Sequence, residues 1–192
     1  MPSRLDELLA HISQLERELE TELESRRHQW RYRLEAQRVR FEREVRQAHK
    51  RIKQSIPAFL RESNPLSIVS APVIYSLIVP VALLDAWITA YQLCCFPLYG
   101  IARVRRSSYI VIDRHHLAYL NAIEKFNCFY CSYANGVFAY VREVAGRTEQ
   151  YWCPIRHARR ITGSHRHYGE FVDYGDADGY RKQLPIIRDK LK

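Results

Sequence analysis

Apolar positions in the first quarter of the chain recur mostly at steps of three and four, with two steps of seven. They are Leu5, Leu8, Ile12, Leu15 and Leu19, then Leu23, Trp30, Leu34, Phe41, Val45, Ala48 and Ile52. This is the narrow seam of a heptad helix, with a stutter where Leu15, Leu19 and Leu23 follow at steps of four. Neither Gly nor Pro interrupts residues 3–56, Ser3 and Asp6 form an S-x-x-D start signal, and Pro57 supplies the stop. The pattern predicts one long helix over residues 3–56, about 75–80 Å at 1.5 Å per residue. A lone helix cannot cover so narrow a stripe. Self-pairing as a coiled coil, or docking of a helical protein partner, is the expected remedy.

The pattern then changes. From Leu66 to Ala102 the only charged residue is Asp85, and the nineteen residues Leu66–Leu84 carry none. That meets the length of a spanning helix. The whole stretch as one straight helix would be about 55 Å, well beyond a hydrocarbon core of about 30 Å. A transmembrane or re-entrant helical hairpin resolves the excess, with kinks at Pro72, Pro80 and Pro97 and with Asp85 at the water-accessible tip. A single span with an interfacial tail is the alternative. Arg51, Lys53 and Arg61 precede the stretch, and Arg103, Arg105 and Arg106 follow it. Basic flanks on both sides place both ends in the cytoplasm by the positive-inside rule. The expected localisation is an integral protein of a bacterial inner membrane or another cytoplasm-facing membrane, in contact with membrane lipid.

In the last third, residues 107–192, the patterns mix. Ser108–Ile112 reads as a short strand, and Asp113 caps a helix through Leu117, Leu120, Ile123 and Phe126. Val137, Tyr140, Val141 and Val144 have helical spacing with Gly146 as a stop, although Val137, Ala139 and Val141 also alternate as in a strand.

Charge refines the first segment. The chain carries a net +9, unevenly placed. Residues 1–24 hold two Arg against seven acidic residues, and residues 25–56 hold eleven Lys and Arg against three Glu. The basic half suits a solvated face or a foot on anionic headgroups. Nucleic-acid binding through it is a third reading and the least favoured one.

The candidate chemistry lies in the cysteines. Five in number, they suit reduced thiols or ligands better than a disulfide framework. Cys94 and Cys95 sit in the apolar stretch, and Cys128, Cys131 and Cys153 lie beyond it. Cys128-x2-Cys131 and Cys153-x3-His157 pair two by two, as tetrahedral zinc requires, with His115, His116, His165 or His167 as substitutes for His157. The expectation is a structural zinc (Zn) site of Cys128, Cys131, Cys153 and His157. Four protein ligands leave no open position, which argues against an enzyme. A thiol redox pair at Cys128 and Cys131 is the competing reading. Arg156, Arg159, Arg160 and Arg166 with His165 and His167 form a basic patch nearby.

Together these readings predict a mostly α membrane protein. It has a long N-terminal coiled-coil helix over residues 1–57 and a membrane anchor over 58–106, apolar across 66–102. A small C-terminal α+β zinc-binding domain over 107–192 completes it. The function expected of it is a membrane-anchored, cytoplasm-facing scaffold or interaction protein.

Overall fold

A computed structural model describes residues 4–30, 32–35 and 38–192. The chain forms two compact units, Met1–Glu62 with Asp113–Lys125, and Ser63–Ile112 with Phe126–Lys192.

The first unit opens with α1, Arg4–Gln29. The long rod ends there: strands β1, Tyr32–Glu35, and β2, Arg38–Phe41, form an antiparallel hairpin pairing Tyr32 with Phe41 and Leu34 with Val39. The heptad reading continued through this stretch. The sequence here also alternates, with Tyr32 and Leu34, then Val39 and Phe41, separated by Arg33 and Arg40. Aromatic and β-branched residues at a period of two suit a strand better than a helix. Two short helices follow, α2, Arg43–Arg51, and α3, Ile56–Glu62. His49 stacks edge-on with Phe41 at 5.3 Å and Tyr119 at 5.1 Å. The Ser3 start signal lies outside the described residues, as do the side chains of Leu5, Leu8 and Leu34.

The apolar stretch of the second unit forms α4, Pro65–Ser76, and α5, Ile78–Tyr99. Asn64 caps α4, its Oδ1 accepting from the Leu66 N–H at 2.9 Å, with Pro65 at the first helical position. Pro80 has no N–H for the Ser76 carbonyl, and the helix is jointed next to it at Leu77. The chain does not reverse at Asp85, so the expected hairpin is replaced by one jointed helical run, Pro65–Tyr99. The reversal comes at Gly100, whose φ of 69° ends α5 in the left-handed conformation.

From Gly100 the chain returns along α5. The Gln92 amide holds both the N–H of Val104 (3.0 Å) and its carbonyl (3.3 Å), and Ile110 packs on Val81 and Val137. Then α6, Ala122–Trp152, runs beside α4 and α5 in the same direction. Tyr130 donates to the Ile74 carbonyl at 2.7 Å, and Tyr151 meets Tyr99 with ring centroids 5.1 Å apart. Asn121 caps α6 in a reciprocal box. Its Oδ1 accepts from Ile123 and Glu124, and Glu124 accepts from the Asn121 N–H at 2.8 Å. The final helix α7, Ala177–Asp189, is tied to α6 through Gln150 and the Ile187 carbonyl at 3.0 Å.

The expected α+β domain is therefore corrected to a helical one. Among the described residues, the C-terminal third has only the isolated bridge between Ile155 and Val172. Ser108 ends a short 3-10 turn, and 137–145 lies wholly within α6. Val137, Tyr140 and Val144 are fully buried, and the core gathers Phe96, Ile101, Val104 and Leu191 around the last two. Neither Gly136 nor Gly146 breaks α6. A Cβ on Gly136 would stand 2.8 Å from the Tyr109 carbonyl oxygen, and one on Gly146 would stand 2.9 Å from the His165 ring. Both glycines serve close approach, which outweighs their poor helix propensity.

Candidate functional site

α6 decides the fate of the expected zinc site. Cys128 and Cys131 lie within α6, and Cys153 follows its last residue. At 1.5 Å per residue, 22 residues of continuous helix hold Cys131 and Cys153 about 33 Å apart. Among the described residues no group of three His, Cys, Asp or Glu is placed to hold a metal ion. The zinc expectation is corrected accordingly. All five cysteines are free thiols. Burial pushes the Cys153 thiol above its ordinary pKa, and the Glu149 charge adds to this. Cys128 and Cys131 lie beyond the first turn of α6, outside the N-terminal position that activates a dithiol pair. His157 stacks on Tyr168, centroids 6.2 Å apart, in an exposed loop.

The helix builds polar networks instead. Tyr133, Tyr140, Glu143, Arg147 and Gln150 succeed one another at steps of seven, three, four and three, and so share one face of α6. Nearest α5, Tyr133 donates to Asp85 Oδ2 at 2.8 Å. Arg106 grips both oxygens of the same carboxylate, Nε to Oδ1 at 2.8 Å and a terminal nitrogen to Oδ2 at 2.5 Å. Asp85 is thus a buried, paired residue in mid-helix and not a polar tip. Next, the Tyr140 hydroxyl meets the Gln92 amide. Gln92 in turn satisfies the backbone of Val104, so no strand is needed to order that segment.

The densest network surrounds Glu143, whose side chain is 5% exposed. Arg147 Nε donates to it at 2.9 Å, His167 Nε2 lies at 3.1 Å, and Arg166 makes a further short contact. Burial works to raise the Glu143 pKa. Hydrogen bonds from Arg147, His167 and Arg166 outweigh it and hold the carboxyl below its ordinary value. His167 is displaced downward, first by burial and then by the neighbouring arginines, against the pull of Glu143. Tyr109 is displaced upward by its own burial, reinforced by Glu143. One turn and a half along α6, Glu149 Oε2 meets His165 Nε2 at 2.8 Å, while His165 Nδ1 is buried with no hydrogen-bond partner among the described residues. The two ties clamp the 3-10 turn Arg166–Glu170 and the residue before it onto α6.

Arg166, His165 and His167 were legible as a basic patch. Their acidic counterparts were not. The available signal was spacing: Glu143 falls on the same face as Val137, Tyr140 and Val144, and a carboxylate on a buried stripe requires partners. No family model matches the sequence, and no curated protein or solved structure is detectably similar to it.

Proposed function

We propose that the protein is a membrane-attached interaction protein, held by the outer face of α4 and α5, with both termini on the cytoplasmic side. The observation that carries this reading is an exposed apolar face along one helical run. Pro65–Tyr99 is the one run of helix among the described residues long and apolar enough to cross a membrane. Its outward residues Leu66, Val69, Val73, Leu83, Trp87 and Leu98 are 66–78% exposed while α6 covers the opposite side. Water-soluble monomers seldom leave so large a patch open.

The run is 35 residues, about 52 Å against a hydrocarbon core of about 30 Å. Arg106, with a side chain 45% exposed, lies beside its middle at the start of the short 3-10 turn 106–108. Even paired with Asp85, a half-exposed guanidinium is poorly accommodated by lipid at that depth, as is the largely irregular return segment 101–112 around it. Attachment by the outer face, with the run lying along the boundary between headgroups and acyl chains, leaves Arg106 in water. Partner recruitment falls to α1, whose Ile12, Leu15, Leu19 and Leu23 are 43–59% exposed. A second copy of the chain or another amphipathic helix would cover them.

The test is fractionation. The wild type should stay with membranes through an alkaline carbonate wash and be released by detergent. Val73→Glu combined with Leu83→Glu should move most of it to the soluble fraction. Release of the wild type by carbonate, or retention of the double variant, would overturn the anchor. Labelling of tags at either terminus by an impermeant reagent in intact cells would overturn the cytoplasmic orientation.

A further inference from the structure

Beyond Trp152 the chain enters a loop, and its residues 156–164 curl around a cavity of about 580 Å³. Arg156, His157, Arg159, Arg160, Thr162 and Tyr168 contribute to its walls, and no carboxylate does so among the described residues. Both ends of the loop are fixed. At one end Arg142, projecting from α6, donates to the carbonyls of Gly163 and Ser164. At the other, Arg156 pairs with Asp173 at 2.8 Å and donates to the Gly169 carbonyl, and the His157 N–H donates to the Tyr168 hydroxyl at 2.7 Å. Gly163, at φ 70°, turns the chain at the Arg142 anchor.

Arg142 and Arg156 therefore hold the frame, and Arg159 and Arg160 do not. Among the described residues neither is paired with a carboxylate. The backbone N–H groups of residues 158–164 find no backbone acceptor among the described residues either. The cavity is thus a concave surface of two uncommitted guanidinium forks, amide donors and the Thr162 hydroxyl, flanked by an imidazole stacked on a tyrosine. Donors dominate it, and its formal charge is positive even after Asp173 neutralises Arg156. That combination selects a multivalent oxyanion, because a guanidinium presents two parallel N–H donors to two phosphate oxygens.

We infer that the loop 156–164 is a binding site for a phosphate group, with Arg159 and Arg160 as its principal ligands. Two sources share this chemistry: the headgroup of an anionic lipid and a soluble phosphate or phosphomonoester. The site shares no residue with the apolar face of α4 and α5, so it stands or falls separately from the membrane reading. A headgroup source would give the protein a second, specific hold on its membrane.

The experiment is titration calorimetry on the full chain in non-ionic detergent. One arm uses inorganic phosphate. The other uses phosphatidic acid carried in the same micelles, with phosphatidylcholine as the neutral comparison. Binding of either probe upholds the site and identifies its source. Arg159→Gln with Arg160→Gln should weaken that binding at least tenfold, leaving the thermal unfolding midpoint and the carbonate-resistant membrane fraction unchanged. Should this variant misfold, Arg159→Lys with Arg160→Lys keeps the charge and removes the forks, and should weaken binding several-fold. Absence of binding to both probes, or affinity unchanged in a folded variant, would overturn the inference.

Discussion

Two helices of this protein carry nearly the same kind of pattern and meet opposite fates. α1 and α6 are 26 and 31 residues long, rich in charge, with a single apolar stripe. On α6 the stripe is closed: Val137, Tyr140 and Val144 are fully buried. On α1 the stripe is open, and Leu19 is 59% exposed. Periodicity declares that a helix has a face. It does not declare what covers it. The difference lies in what travels with the stripe. On α6, small residues at Ala134, Gly136 and Gly146 admit neighbouring backbone and rings, and tyrosines and a glutamate on the same face find polar partners. On α1 the stripe is flanked by solvated pairs such as Glu22 and Arg26 at 3.0 Å.

The comparison breaks most sharply where the closed stripe is emptied. Phe96 is wholly buried between α5 and α6, against Tyr140 and Val144. Phe96→Ala should cost about 3–5 kcal/mol by loss of burial and by the cavity left behind. A thermal melt of the full chain in mild detergent reads this directly, and a loss below 1 kcal/mol would mean that α6 does not pack as described.

Next in size is the charge that the stripe carries. Glu143 is buried under Arg147, Arg166 and His167, so Glu143→Leu removes an acceptor and leaves three donors facing apolar surface. The expected loss is about 2–4 kcal/mol, set toward the lower side because Arg166 can turn to solvent. The pH dependence follows from the same network. The His167 pKa is depressed in the fold, so the unfolded chain binds the proton first as pH falls below the ordinary 6.5. Stability contributed by the neutral ring is present above that pH and is lost on acidification. Glu143 acts in the same sense at lower pH: its contribution is present above the ordinary 4.5 and is lost as pH falls through its depressed value. The wild type should therefore lose stability relative to His167→Asn below pH 6.5, by no more than about 1.4 kcal/mol per pH unit. Paired melts at pH 7.5 and 5.5 check the sign, and an equal or rising difference would contradict it.

These residues also mark how far the sequence could be read. The apolar run from Leu66 and the helical face of Val137, Tyr140 and Val144 were legible because period is a local property. The hairpin at Tyr32–Phe41 was hidden because a stripe at steps of three and four was traced across residues that also alternate at two. Cys128, Cys131, Cys153 and His157 were grouped by spacing alone. Spacing implies proximity only if the chain turns between the pairs, and continuous helix from Ala122 to Trp152 removes that turn. Gly146 looked like a stop because glycine has two uses, and only the neighbouring ring of His165 shows which use applies. Asp85 looked like a tip because Arg106, its partner, lies in a segment whose return along α5 no local pattern announces.

The smallest effect on stability is expected on the open stripe, and there it sharpens the comparison most. Leu15→Lys with Leu19→Lys alters two exposed residues of α1, so the melting of the isolated chain should change by no more than about 0.5 kcal/mol per site. Association should respond differently. If a second copy covers the stripe, two lysines on each helix place like charges on the seam and desolvate them, and the oligomer should fall to monomer at concentrations where the wild type remains assembled. Sedimentation of both forms in the same detergent measures this. A wild type that is monomeric throughout assigns the stripe to a different helical partner. An oligomer indifferent to the two lysines would remove α1 from the interface altogether. The same substitution logic applied to α6 would unfold the second unit, because a covered stripe holds a fold together and an open one holds partners.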